Sequence, residues 1–114
     1  GDENCAFAIE SYIYGLLKTI GAYVAELGGI DALIFTAGIG ENASLIREKL
    51  CARLAYLGLV LDKEKNAQRP APAEISTPES KVKVLVIPAN EELMIATETF
   101  ALLEELAAAE PLAV

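Results

Sequence analysis

Asp31-Ala32-Leu33-Ile34-Phe35-Thr36-Ala37-Gly38-Ile39-Gly40-Glu41-Asn42 is the stretch whose reading decides the fold. It opens with a short apolar run, Ala32–Phe35, of the kind that forms a buried strand. Thr36 to Gly40 then reads as a turn, and Asn42 can cap a second helix over about 43–56. Leu45, Ile46, Leu50 and Leu54 fall on the inward stripe of that helix, with Arg47, Glu48 and Lys49 on its solvated face.

Working outward, residues 4–27 carry Cys5, Ile9, Tyr12, Ile13, Leu16, Ile20, Tyr23, Val24 and Leu27 at helical spacing. Asp2 or Asn4 can cap this helix, and Gly28-Gly29 stops it. Its apolar arc is broad, so part of it is expected to pack on something outside this chain. Downstream, Leu57–Leu61 reads as a second short strand that Gly58 weakens. Asp62–Gln68 reads as a charged loop or helical turn, 69–73 as a loop, and Glu74–Thr77 as a short edge strand. Lys81–Ile87 reads as a strand ended by Pro88. Asn90 is the expected cap of a last helix over about 91–108, with Glu91 and Glu92 at its positive end and Leu93, Ala96, Thr97, Phe100 and Leu103 inward. Tyr12, Tyr23, Phe35 and Phe100 are assigned to the core, Tyr14 and Tyr56 to the surface or an interface, and the tail from Ala109 to a frayed end. The order helix, strand, helix, strands, helix predicts one α/β domain over 1–114 with a mostly parallel sheet.

Composition narrows the function classes. A net charge of −8 argues against nucleic-acid binding, which depends on Lys and Arg neutralising phosphates. No apolar run reaches the roughly 18 residues of a membrane span, and no signal peptide is evident. The chain therefore reads as cytoplasmic, with Cys5 and Cys51 as reduced, buried thiols. With no His and no CxxC pair, a zinc site is not expected. Gly1 reads as a processed end, so a piece of a longer protein is expected.

Two strand-to-helix junctions can carry chemistry. At Gly38-Ile39-Gly40-Glu41-Asn42, glycines let the backbone approach a ligand, and the following helix offers amides to anionic oxygens. A tight turn without a ligand satisfies the same spacing. A Walker loop is excluded for want of Gly-Lys-Ser/Thr. Gly38, Gly40 and Ala43 do match G-x-G-x-x-G/A, with Asp62 near the place of a ribose-binding acid, so a dinucleotide-binding half domain is an alternative. Against it stand the long helix before the first strand and the carboxylate of Glu41 at the helix mouth. At Ile87-Pro88-Ala89-Asn90-Glu91-Glu92, carboxylates can hold Mg²⁺ directly or through water, or the two Glu can simply cap a helix.

Residues 31–42 closely resemble the adenosine-binding motif of acetate kinases. Leu57-Gly58-Leu59, Asp62–Asn66, Ile75-Ser76, Ser80–Val82 and Val86–Ala96 resemble that family's later segments in the same order, and Tyr14, Ile20–Tyr23 and Leu27–Gly29 its preceding helix. The resemblance implies the C-terminal part of an actin-like, ribonuclease-H-like ATPase domain of the acetate and sugar kinase/actin superfamily. It implies reversible transfer of the γ-phosphoryl of ATP to acetate, with propionate and butyrate kinases sharing these motifs. It places Gly38, Ile39, Gly40, Glu41 and Asn42 at the nucleotide, Glu91 at Mg²⁺ (or Mn²⁺) and Glu92 beside it, and it implies a homodimer through this domain. Ala37, Ala89 and Thr97 depart from the family's usual Gly, Thr and Arg. The family's acetate-side Arg and His residues lie earlier in its chain. This chain holds none of that His set, so on its own it is expected to lack kinase activity.

Overall fold

The computed structural model describes residues 2–68 and 73–109. Helix α1 (Glu3–Leu27) starts at Asp2, whose carboxylate accepts the Asn4 N–H at 2.9 Å, and stops at Gly28 in the left-handed region. Strand β1 (Ala32–Phe35) is followed by a short helix α2 (Ala37–Asn42) and then α3 (Ser44–Arg53). A 3₁₀ turn (Ala55–Leu57), helix α4 (Lys63–Ala67) and strands β2 (Ala73–Glu74) and β3 (Lys83–Val86) lead into α5 (Glu91–Ala109).

The sheet order is β1-β3-β2, with β3 parallel to β1 and antiparallel to β2. In the parallel pair Phe35 stands opposite Val86, so both strands end at the same level. The Ile87 N–H still donates to the Phe35 carbonyl at 2.9 Å, and from there the two chains diverge into α2 and α5. Alternation works as the pattern requires: Val84 and Val86 of β3 are fully buried while Lys83 is exposed. The core gathers Ile13, Phe35, Leu50, Cys51, Leu54, Leu59, Ile75, Val82, Val84 and Val86, each aliphatic side chain worth roughly 1.5–3 kcal/mol on burial.

Several expectations are corrected. Leu57–Leu61 is not a strand: Gly58 takes φ 83° after the 3₁₀ turn, and only Leu61 bridges to Ser76. Left-handed backbone at that point interrupts any extended run. The turn expected at Thr36–Gly40 is the beginning of α2, and Asn42 ends that helix rather than capping α3. Its side-chain amide donates back to the Gly38 carbonyl at 2.9 Å, and Ala43 takes the cap position of α3. Arg47 is 1% exposed, not solvated, because four backbone and side-chain acceptors surround its guanidinium. Cys5, Tyr12 and Tyr23 are exposed, since α1 turns only Ile13 fully inward, with Ile9, Leu16, Leu17 and Ile20 against the core. The inward stripe expected on α5 faces solvent: Phe100 is 63% exposed, and Leu93, Ala96, Thr97 and Leu103 are exposed with it. Of the expected loop 69–73 only Ala73 is described, as the start of β2; of the tail only Ala109 is, within α5.

Candidate functional site

The parallel register creates the site. Because β1 and β3 end side by side, the segments leaving them form the two walls of one cavity of about 370 Å³. Ala37, Gly38 and Glu41 line it from α2, and Ala89, Asn90, Glu91 and Glu92 from the β3–α5 junction. The walls are joined by one hydrogen bond: the Ala89 N–H donates to the Glu41 carboxylate at 3.0 Å. Both walls carry a non-glycine residue in left-handed backbone, Ala37 at φ 59° and Asn90 at φ 48°. Such conformations are sparsely populated, more easily by Asn than by Ala, and here they turn each chain sharply off its strand. The Asn90 carbonyl then accepts the Leu93 and Met94 N–H groups at the start of α5.

The two glycines of the motif serve different ends. A side chain at Gly40 would meet the Phe35 backbone carbonyl carbon at 3.1 Å, so glycine lets α2 lie against the end of β1. Around Gly38 there is open space on the cavity side. Ile39 and Gly40 face the other way, into an apolar groove of about 580 Å³ walled by Tyr12, Leu16, Ile20, Leu33 and Phe35. Ala37 and Gly38 border both spaces.

Of the residues singled out by sequence, Gly38, Glu41, Glu91 and Glu92 meet in the cavity, Ile39 and Gly40 border the groove, and Asn42 is tied to Gly38 and lines neither. Asp62 is elsewhere: it caps α4, accepting the Glu64 and Lys65 N–H groups at 3.0 Å. The dinucleotide reading thus loses its ribose-binding acid. Ala89 and Asn90, within the second junction read from sequence, also line the cavity; sequence reasoning did not assign Ala37 to the site, nor find the Arg47–Asn66 pair beneath the loop. Among the described residues, three carboxylates and no Lys or Arg line the cavity. An anionic ligand would enter it only with a cation to offset that charge.

An α/β layer with its ligand-ready cavity beyond the carboxyl ends of parallel strands is the class defined by this fold and site. Acetate kinase from Porphyromonas gingivalis superposes on 90% of the chain with a TM-score of 0.76 at 44% identity. A propionate kinase from Francisella tularensis does so on 86% with a TM-score of 0.74 at 40% identity. An acetate kinase of Carboxydothermus hydrogenoformans is 53% identical over 102 residues, 90% of this chain and 26% of the relative. The profile of the Acetokinase family matches residues 1–97. The chain belongs to the acetokinase family, and it spans about a quarter of the length of the relatives it matches.

Proposed function

We propose that this chain is the nucleotide- and metal-side wall of an ATP-dependent acetate kinase, which transfers the γ-phosphoryl of ATP to acetate to give acetyl phosphate and ADP. The observation that carries the reading is the cavity itself, where the Gly38–Glu41 and Ala89–Glu92 segments are brought together by one strand register and one hydrogen bond. Gly38 to Asn42 form the nucleotide loop. The apolar groove beside Ile39 and Gly40 suits a base and ribose, and the acidic cavity suits the metal-bound phosphates.

The donor set fits a hard divalent cation. Glu91 and Glu92 offer carboxylate oxygens and make no ion pair among the described residues. No cluster of three or more His, Cys, Asp or Glu that could hold a metal alone occurs among the described residues. Mg²⁺ asks for no such cage: one or two carboxylates plus phosphate oxygens and waters complete its shell. Mn²⁺ accepts the same oxygens. When bound, the ion neutralises charge on the transferring phosphoryl group. Glu91 would hold it, and Glu92 would sit beside it. Glu41, hydrogen-bonded to Ala89, would keep the two walls at a fixed separation.

Acetate as acceptor rests on the named relatives; the propionate kinase likeness keeps a longer acyl substrate as the second reading. A homodimer through this domain and a cytoplasmic site complete the proposal. Among the described residues no helix is long and apolar enough to cross a membrane. The test is a titration of the chain with ADP, with and without Mg²⁺, followed by backbone amide resonances. Joint shifts at Gly38, Glu41, Ala89 and Glu91 that require Mg²⁺ are expected. Shifts with NAD instead, or none at either wall, would overturn the nucleotide assignment.

A further inference from the structure

We propose that Arg47, which lies outside the cavity, is a positioning residue for it: its guanidinium clamps α2 so that the Glu41 carboxylate meets the Ala89 amide. The consequence for affinity rests on the nucleotide reading above; the consequence for geometry does not.

Arg47 projects from α3 beneath the loop and is essentially fully buried. One terminal nitrogen, Nη1, donates to both the Gly40 carbonyl at 2.8 Å and the Glu41 carbonyl at 2.9 Å. Nε donates to the Asn66 side-chain oxygen at 2.8 Å, and Nη2 to the Asn66 backbone carbonyl at 2.9 Å. The Asn66 side-chain amide donates in turn to the Ser44 carbonyl at 3.0 Å. The fork therefore ties α2, α3 and α4 together at one point. No carboxylate pairs with it among the described residues; its charge faces carbonyl oxygens at the end of α2, where a cation is favoured.

The clamp matters because α2 is short. The helix has six residues, too few to persist by its own hydrogen bonds, and Thr36 gives it no side-chain cap. Arg47 fixes the Gly40 and Glu41 backbone from below, and the Ala89 N–H fixes the Glu41 side chain from across the cavity. Releasing the first tie frees the second. A lysine keeps the charge but cannot reproduce a planar fork that reaches four acceptors at once.

The decisive measurement is residue-resolved amide hydrogen exchange on the chain, together with the ADP-Mg²⁺ titration, for wild type, Arg47→Lys and Asn66→Ala. Ile75 and Ile87, whose N–H groups donate to Val84 and Phe35, report global stability. In Arg47→Lys, protection at Ala89 should fall about tenfold or more relative to Ile75 and Ile87, and the apparent Kd for ADP-Mg²⁺ should rise by a similar factor. Asn66→Ala keeps Arg47 and the Asn66 carbonyl, so the same selective pattern should appear more weakly. Unchanged Ala89 protection in both variants would overturn the proposal, as would a uniform loss at all three amides in both, because that marks a purely structural role. If the wild-type chain ignores ADP-Mg²⁺, the nucleotide reading fails while the exchange data still decide the clamp.

Discussion

At Ala37 the backbone sits at φ 59° with a methyl group attached, a conformation that costs an L-residue roughly 1–2 kcal/mol. Ala37→Gly removes that strain but gives the unfolded chain more freedom, which takes back roughly 0.4–1 kcal/mol. A net stabilisation of up to about 1 kcal/mol is expected, read as a higher urea midpoint at unchanged slope; a lower midpoint would show that the left-handed turn is not strained. The cysteines differ by the same local logic. Burial pushes the Cys51 thiol up to about 12, only partly offset by Arg47, whose own guanidinium burial pulls below its ordinary value. Cys5 lies exposed on α1. A disulfide-exchange reagent at neutral pH should therefore titrate one thiol in the native chain and two after denaturation. Since the folded state favours the protonated Cys51 thiol, this contribution to stability is intact below the ordinary value of 9.0 and is lost as pH rises toward 12.

The elements differ sharply in how much holds them. Helix α1 is clasped to α3 at Glu10, which pairs with Lys49 and, at 2.8 Å, with Arg53. The Lys49 hydrogen bond leads in holding the Glu10 carboxyl below its usual value of 4.5, so the clasp is present above that pH and is lost as acid protonates Glu10. Glu10→Gln should make the acid limb of the stability profile shallower at low salt and change little at high salt, because exposed pairs are screened. An unchanged acid limb would deny the clasp any role. Packing separates α3 from α5 more strongly. Leu54, at the end of α3, is 1% exposed, and Leu54→Ala should cost roughly 2–5 kcal/mol. Phe100→Ala, on the exposed α5, should leave the urea midpoint nearly unchanged. A comparable loss at Phe100 would mean that α5 is covered in solution.

For the whole molecule, α5 exposes Leu93, Met94, Ile95, Phe100, Leu102, Leu103 and Leu106, and an apolar surface of that size normally marks an interaction site. The fold extends 70 Å along its longest axis, and among the described residues the cavity has walls from α2 and the β3–α5 junction alone. Phosphoryl transfer depends on positioning and on charge neutralisation around the transferring group, and among the described residues no cationic side chain lines this cavity. The chain alone, supplied with ATP, Mg²⁺ and acetate, is therefore expected to form no acetyl phosphate in a hydroxamate assay. Detectable product would show that the transfer machinery is complete within these residues.

Much of this was legible in the linear order of residues. The Asp2 cap, the Gly28 stop, the Ala32–Phe35 run and the Pro88 break are local signals, and local signals need no partner to be read. The ordered motifs likewise placed the chain in its family. Burial was less legible. A guanidinium in an α-helix reads as solvated until its acceptors on α2 and α4 are known, and an apolar stripe on α5 reads as inward although, among the described residues, it stands exposed. Sequence alone thus determined the strands that lead into the site and the helix that leaves its second junction, though not the short helix α2, because capping, periodicity and chain-breaking act over a few residues. Only the tertiary structure decided that the two junctions share one cavity, because that follows from the register of Phe35 against Val86 and from a hydrogen bond between residues far apart in the chain.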